Sequence, residues 1–165
     1  MPPFVPIPLT GLLSRRAWFD AASAERPVAI AVFDIDHFKT INDRFGRPAG
    51  HRVLQAVSRC IREAVGDAGF VGRLGGEEFG VAFYVPMHDA REVSERVVAA
   101  VAANPCDIDG ERSLRVTISA GIAPCRRATD DPIIALAKAY EFADRALYEA
   151  KARGRHQLVV SARAA

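Results

Sequence analysis

The chain has 165 residues, a length that suits one domain with a full hydrophobic core. Half of the residues are apolar and a quarter are charged, which excludes disordered and fibrous proteins. The formal net charge is only +2 and no run of Lys or Arg forms a basic stripe, so we expect no nucleic-acid polymer as a partner.

The first half of the chain alternates helical and strand-like patterns. Apolar residues at helical spacing predict helices over residues 11–25 and 51–65. Between them, Val28–Phe33 is a short apolar run rich in β-branched residues, which predicts a strand buried on both faces. The polar segment 34–43 follows this strand. A turn before the second helix is marked by Gly46, Pro48 and Gly50.

The second half predicts a hairpin, two further helices and two further strands. The strand-like segments are residues 70–74, 79–85, 114–123 and 157–160. The helical segments are residues 89–103 and 132–152. Asp89 is the predicted N-cap of the first of these helices.

The predicted order is α-β-α-β-β-α-β-α-β, in one α+β domain. Its β-α-β-β-α-β core is typical of a ferredoxin-like sheet with helices packed on one face. We expect the domain to cover residues 9–161, between a proline-rich lead-in at 1–8 and a short tail at 162–165.

Cysteine usage and hydrophobicity indicate a reduced, cytoplasmic setting. The three cysteines form no CxxC pair, and with the four histidines they complete no zinc spacing. The longest apolar run, Val97–Ala103, is too short for a membrane helix. The N-terminus has neither the basic start nor the long apolar run of a signal peptide. We therefore expect free thiols and no membrane contact.

Two carboxylates, Asp34 and Asp36, interrupt the end of the first strand. Side chains two residues apart in a strand share a face, so both could meet one site. Paired hard oxygen ligands suit Mg²⁺, although the strand could simply have reached solvent there. A calcium loop of the EF-hand type is excluded, because Phe38 and Lys39 replace an oxygen ligand and a glycine.

The predicted hairpin turn, Gly75–Glu78, places two glycines before the carboxylates Glu77 and Glu78. Such a segment fits an ordinary acidic turn as well as a functional site. If the hairpin pairs with the Val28–Phe33 strand, however, its turn lies next to Asp34.

Three cations could complete a site at this position. Lys39 closely follows Asp34, and Lys151 and Arg155 are four residues apart at the end of the last helix. They could bind phosphate oxygens, although cations are also favoured at helix C-termini without any ligand.

Five segments together resemble a known family: Leu9–Arg16, Phe33–Asp43, Arg73–Phe79, Val116–Ile122 and Ala143–Arg155. The family is the GGDEF domain, the diguanylate cyclases, and the resemblance covers nearly the whole chain. It implies a nucleotide-cyclase core with a mostly antiparallel five-stranded sheet and helices packed around it. It also implies that a homodimer condenses two GTP into cyclic di-GMP and releases two pyrophosphates, with two Mg²⁺ or Mn²⁺ per active site.

The resemblance also implies roles for individual residues. Metal ligands would be Asp34, the backbone carbonyl of Ile35, and Glu77. Glu77, or alternatively Glu78, would assist deprotonation of the 3′-hydroxyl. The phosphates would be held by Lys39, Lys151 and Arg155, with Lys39 counted among the catalytic residues. The remaining substrate contacts would come from Asn42, which would contact guanine, and from Phe38.

One departure from the family concerns the base. His51 stands where the family usually has an Asp that accepts two hydrogen bonds from guanine. Neutral imidazole accepts at one nitrogen only, so we expect weaker guanine selectivity unless another residue such as Arg47 compensates. Two alternatives follow: a cyclase with relaxed purine selectivity, or a catalytically weak nucleotide-binding module.

Other departures concern regulation. Gly66 and Gly69 stand where many relatives have the Arg and Asp of an inhibitory product site, so we expect no such site. Ile7, Ser14 and His156 also replace usual family residues, which predicts weaker coupling to an upstream partner. The expected partners are GTP, a second copy in a transient homodimer, and a sensor or regulatory domain outside this chain. A third alternative is a truncated regulatory piece that depends on such a domain to dimerise.

Overall fold

The computed structural model describes residues 7–125 and 131–162, so most of the expected lead-in and tail lies outside the described residues. The described helices are α1 (Arg15–Glu25), α2 (Phe38–Phe45), α3 (Arg47–Val65), α4 (Met87–Ala103) and α5 (Pro132–Ala152). The described strands are β1 (Leu13–Ser14), β2 (Ala29–Ile35), β3 (Gly69–Arg73), β4 (Glu78–Phe83), β5 (Cys106–Asp107), β6 (Ser113–Leu114), β7 (Ile118–Pro124) and β8 (Leu158–Val160).

The main sheet has six described strands in the order β1-β3-β4-β2-β7-β8. The inner pairs are antiparallel, whereas β1 runs parallel to β3 and β8 runs parallel to β7 at the two edges. The predicted α+β class is confirmed. The sheet is mixed, and the two-residue strand β1 adds a sixth member to the five that were expected.

Helices cover both faces of the sheet, which corrects the expectation of helices on one face. Alternate residues of β2 belong to different cores: Ala31 and Phe33 pack with α3 and α4, whereas Ile30 and Val32 pack with α1 and α5. The continuous apolar run in β2 is explained by this arrangement, since both faces of the central strand must be apolar.

Several predicted element boundaries in the first third of the chain were wrong. The predicted helix 11–25 begins only at Arg15, because the Ser14 hydroxyl caps it by accepting from Ala17 N at 3.3 Å. The polar segment after β2 contains the unpredicted helix α2. The predicted turn before α3 is confined to Gly46, whose φ of 84° favours glycine, so that α3 starts at Arg47.

Two further predictions, in the second half of the chain, were also wrong. Asp89 does not cap α4: Pro86 occupies the cap position, and Asp89 lies within the first turn, where its charge suits the helix dipole. The predicted strand 114–123 is two strands, of which β6 pairs with β5 in a separate hairpin. The sequence lacks a signal for this hairpin because each of its strands has only two residues.

The three cysteines carry free thiols, as expected, and burial raises the pKa of each. For Cys106 the pKa rises to about 11. Within the described residues no helix is both long enough and apolar enough to span a bilayer.

Gly121 allows α5 to pack directly on β7. A Cβ at this position would lie 2.1 Å from the Ala143 carbonyl oxygen and 2.2 Å from Leu147 N. Because those contacts are backbone atoms, we expect Gly121→Ala to cost about 3 kcal/mol and to lower the melting temperature by roughly 6–12 °C. Differential scanning calorimetry measures this change.

Gly76→Ala is the matched control, since a Cβ there meets nothing within 4 Å. It should leave the melting temperature close to that of the parent chain. Equal melting temperatures for the two variants would contradict the close α5–β7 contact.

Candidate active site

Strand pairing brings the end of β2 and the turn between β3 and β4 together. Asp34 lies opposite Glu78 in the antiparallel register, and the Ile35 N–H donates to the Glu77 carbonyl at 3.2 Å. The predicted pairing of the hairpin with the first long strand is therefore confirmed. Two acidic segments that are distant in sequence share one edge of the sheet.

A pocket of about 250 Å³ opens at this edge. Its lining residues are Asp34, Ile35, Asp36, His37, Phe38, Lys39, Thr40, Glu77, Lys151 and Arg155. Seven of the predicted site residues are among them: Asp34, Ile35, Phe38, Lys39, Glu77, Lys151 and Arg155. Pockets that enclose drug-sized ligands are roughly 300–1,000 Å³, so this pocket suits metal and phosphate groups rather than an entire nucleotide.

Asp34 is a largely buried carboxylate that forms an ion pair with the Lys151 side chain. Its Oδ1 atom lies 2.9 Å from Lys151 Nζ, and its side chain is 13% exposed. Burial raises the pKa of Asp34, although the hydrogen bond and charge of Lys151 act in the opposite direction. The ammonium group therefore occupies a position where a metal cation could bind the same oxygen.

Glu77 adds a second carboxylate to the pocket. Burial raises the pKa of Glu77, and the negative charge of Asp34 raises it further. Among the described residues, no hydrogen-bond donor contacts the Glu77 carboxylate. Two mutually repelling hard oxygen donors, one of them held by a lysine, fit a Mg²⁺ or Mn²⁺ site.

Glu78 points to a different part of the molecule. Its Oε1 atom accepts a hydrogen bond from the Tyr140 hydroxyl at 2.7 Å, and Arg15 Nη1 donates to that hydroxyl at 3.3 Å. Burial and the bond to Glu78 raise the pKa of Tyr140 to about 12. Glu78 and Tyr140 thus link the turn to α5 and, through Arg15, to α1. The sequence did not indicate this contact of Tyr140.

Arg73 also forms hydrogen bonds with the β3–β4 turn. Its Nε atom donates to the Gly75 carbonyl at 3.1 Å, and its Nη2 atom donates to the Gly76 carbonyl at 2.7 Å. Burial lowers the pKa of Arg73. Two bonds from one planar guanidinium hold the glycines, and with them the position of Glu77.

Asp36 lines the pocket with Asp34, but its oxygens already accept hydrogen bonds. Thr117 Oγ1 donates to Oδ2 and Ser119 Oγ donates to Oδ1, each at 2.7 Å. The backbone N–H of His156 also donates to Oδ2, at 3.2 Å. The two aspartates therefore have different partners, an ammonium group for Asp34 and hydroxyl and amide donors for Asp36, which the sequence did not indicate.

Three predicted substrate contacts lie outside the pocket lining. Asn42 is on α2 and packs against Gly50 of α3, where a Cβ would lie 1.9 Å from its Oδ1 atom. Arg47 and His51 are exposed on the first turns of α3. The structure thus places these three residues on α2 and α3, apart from the charged residues that line the pocket.

Comparison with known proteins gives a consistent result. The family model described as "Diguanylate cyclase, GGDEF domain" matches residues 8–157. Diguanylate cyclase DgcP of Pseudomonas aeruginosa is 40% identical over 163 residues, which cover 93% of this chain and 23% of DgcP.

Two solved structures are similar over most of the chain. The DgcB GGDEF domain of Caulobacter crescentus, in complex with c-di-GMP, has a TM-score of 0.82 at 27% identity and covers 94% of this chain and 95% of that one. Diguanylate cyclase SiaD of Pseudomonas aeruginosa, in complex with its activator SiaC, has a TM-score of 0.83 at 32% identity and covers 94% of this chain. The chain spans less than two thirds of DgcP and of the SiaD chain, at 23% and 61%.

The burial of Asp34 predicts that Asp34→Asn raises the melting temperature of the metal-free protein at pH 7. A raised pKa means that ionising this carboxyl costs more in the folded chain than in the unfolded chain. The destabilisation therefore grows as pH rises through that pKa, and it vanishes at low pH, where the carboxyl is protonated in both states. Thermal unfolding in EDTA between pH 4 and pH 8 measures the divergence.

Asp67→Asn, at an exposed carboxylate in the short 3₁₀ helix Gly66–Ala68, is the matched control and should show no such divergence. A melting temperature of Asp34→Asn below that of the parent chain at pH 7 would mean that the Lys151 ion pair outweighs the cost of burial.

Proposed function

The chain belongs to the GGDEF domain family, and we propose that it is a diguanylate cyclase that condenses two GTP into cyclic di-GMP with release of two pyrophosphates. The observation that carries this proposal is one pocket that joins the acids Asp34 and Glu77 to the cations Lys39, Lys151 and Arg155. The cyclic di-GMP bound to the similar DgcB domain supports the proposed product.

The pocket takes the triphosphate of one GTP. Lys39, Lys151 and Arg155 bind the phosphate oxygens, and Lys151 exchanges its Asp34 carboxylate for a phosphate when substrate is bound. Asp34, the Ile35 carbonyl and Glu77 would hold two divalent cations, which neutralise phosphate charge and acidify the attacking hydroxyl.

Glu77 is the proposed proton acceptor, because its carboxylate lines the pocket while that of Glu78 is bound to Tyr140. As the 3′-oxygen of one GTP attacks the α-phosphorus of the other, its proton passes to Glu77. A new P–O bond forms and the bond to pyrophosphate breaks. The reciprocal step, in which the second 3′-oxygen attacks the first α-phosphorus, closes the ring.

Two copies of the chain are needed for this chemistry. A pocket of about 250 Å³ holds a single triphosphate, so the second GTP comes from a facing copy in a homodimer. Since the chain spans 23% of DgcP, we propose that dimerisation is controlled by a regulatory domain or partner outside this chain. The absence of an inhibitory product site at Gly66 and Gly69 stays a prediction.

The base lies toward α2 and α3, where Asn42 contacts guanine. His51, exposed on α3, accepts fewer hydrogen bonds than the family's usual carboxylate. Relaxed purine selectivity is therefore the second candidate function, in which the same chemistry acts on a mixed purine pool.

The matched pair Glu77→Gln and Glu78→Gln tests the proton acceptor. Glu77→Gln removes the base, and we expect it to lower kcat about 10²–10⁴-fold. Glu78→Gln keeps an acceptor for Tyr140, so we expect a loss below about tenfold. Both variants are incubated at high concentration with Mg²⁺ and GTP, and cyclic di-GMP is separated from GTP chromatographically.

Equal losses in the two variants would sink the assignment of Glu77. No cyclic dinucleotide from the parent chain at any concentration, with GTP binding retained, would favour the catalytically weak module instead.

His51→Asp tests the base end of the site. A carboxylate restores two acceptors for guanine, so we expect the ratio of kcat/KM for GTP over ATP to rise about 5–100-fold. The initial rates are measured with each nucleotide at the same Mg²⁺ concentration. An unchanged or lower ratio would mean that His51 has a role of its own in base recognition.

A further inference from the structure

Asp36 joins three parts of the chain at the edge of the pocket. It lies just beyond β2 and is only 5% exposed. Its carboxylate accepts hydrogen bonds from the hydroxyls of Thr117, just before β7, and Ser119, within β7, and from the backbone N–H of His156. Its own N–H donates to the Thr117 carbonyl at 2.9 Å. Three of the sites at which this carboxylate can accept hydrogen bonds are therefore filled by the protein.

The segment that Asp36 holds has an unusual backbone. Gly154, Arg155 and His156 have consecutive positive φ values of 110°, 67° and 47°. Non-glycine residues seldom adopt this region, and a run of such residues persists only where the surrounding structure imposes it. The Asp36 bond to His156 N is a charge-assisted contact at the last of the three positions.

Other bonds fix the two ends of the segment but do not reach the His156 amide. Arg155 N donates to the Ala150 carbonyl at 3.0 Å, and Ala120 N donates to the Gln157 carbonyl at 2.9 Å. The Gln157 side chain donates to carbonyls of residues 150, 153 and 155. Asp36 thus supplies the direct link between this segment and the strand end that carries Asp34.

We propose that Asp36 is a positioning residue that holds the 154–156 turn so that Arg155 faces the phosphate pocket, and that it is not a metal ligand. The proposal rests on the proposed function in that Arg155 binds a phosphate of GTP. Thr117 Oγ1 and His156 N occupy both acceptor sites of Oδ2, and the fully buried Ser119 hydroxyl occupies one of the two on Oδ1, so at most one site of this carboxylate is left for a metal.

A double-mutant cycle separates this role from a direct one. We expect Asp36→Ala and Arg155→Ala each to weaken GTP binding about tenfold, as measured by calorimetry in Mg²⁺. Because Asp36 acts through Arg155, the double variant should also lose about tenfold, whereas independent contributions would multiply to about 100-fold. A loss near 100-fold would overturn the proposal.

Conservative substitution separates positioning from metal ligation. The side-chain amide introduced by Asp36→Asn can still accept from His156 N and Thr117 and can donate to Ser119 Oγ, so GTP affinity should stay within about threefold of the parent value. Mn²⁺ titration of the nucleotide-free protein, followed by electron paramagnetic resonance, should give the parent affinity for this variant. A loss of Mn²⁺ binding as large as that in Asp34→Asn would make Asp36 a metal ligand.

Hydrogen exchange tests the turn itself and needs no nucleotide. Asp36→Ala should speed amide exchange at residues 155–157 about tenfold or more, while α3 and α4 keep their protection. If Asp36→Ala does not fold, Thr117→Val with Ser119→Ala removes the two donors that orient the Asp36 carboxylate but leaves its bond to His156 N, and should speed exchange at the same residues to a smaller extent. Unchanged exchange at 155–157 would refute the proposal.

The same experiments distinguish failure of this inference from failure of the proposed function. A parent chain that binds no GTP would count against the cyclase, while the exchange result for Asp36→Ala would still decide whether Asp36 holds the turn.

Discussion

The register of β2 against β4 is the constraint on which the site depends. Asp34 lies opposite Glu78 because the apolar residues of β2 alternate between two cores, each covered by its own helices. A slip of one residue would exchange every side chain between the two faces, which both cores oppose. The packing that stabilises the fold therefore also sets the distance between the strand-end carboxylate and the β3–β4 turn.

Four carboxylates lie at this edge of the sheet, and each has different bonding partners. Asp34 binds an ammonium group, Asp36 accepts hydroxyl and amide bonds, and Glu78 accepts from a phenol. Glu77 has no donor among the described residues, and burial together with the Asp34 charge raises its pKa. Like-charged acids remain close because three of them have hydrogen-bond or ion-pair partners, while the charge of Lys151 partly offsets the repulsion at Glu77.

Much of the fold could be predicted from the pattern of apolar residues. The central strand, the hairpin and α5 were predicted within two residues of their observed bounds, because each has a long periodic run or clear glycine and proline boundaries. The helix α2 and the short strands β1 and β5 were missed, and β6 was merged with β7 in one predicted strand. Two to eight residues carry too little periodicity, and these elements exist because their neighbours supply the pairing and the buried surface.

The sequence by itself determined the residue types of the site: paired acids after a strand, two glycines before two more acids, and cations near a helix end. Five matching segments, in the family's order, carried the resemblance to the GGDEF family. Only the tertiary structure decided which partners each acid has, since Asp34 and Asp36, or Glu77 and Glu78, carry the same functional group at neighbouring positions of the chain. Their partners differ because Lys151, Tyr140, Ser119 and the His156 amide come from segments more than 60 residues away, and only folding brings those partners to one carboxylate rather than its neighbour.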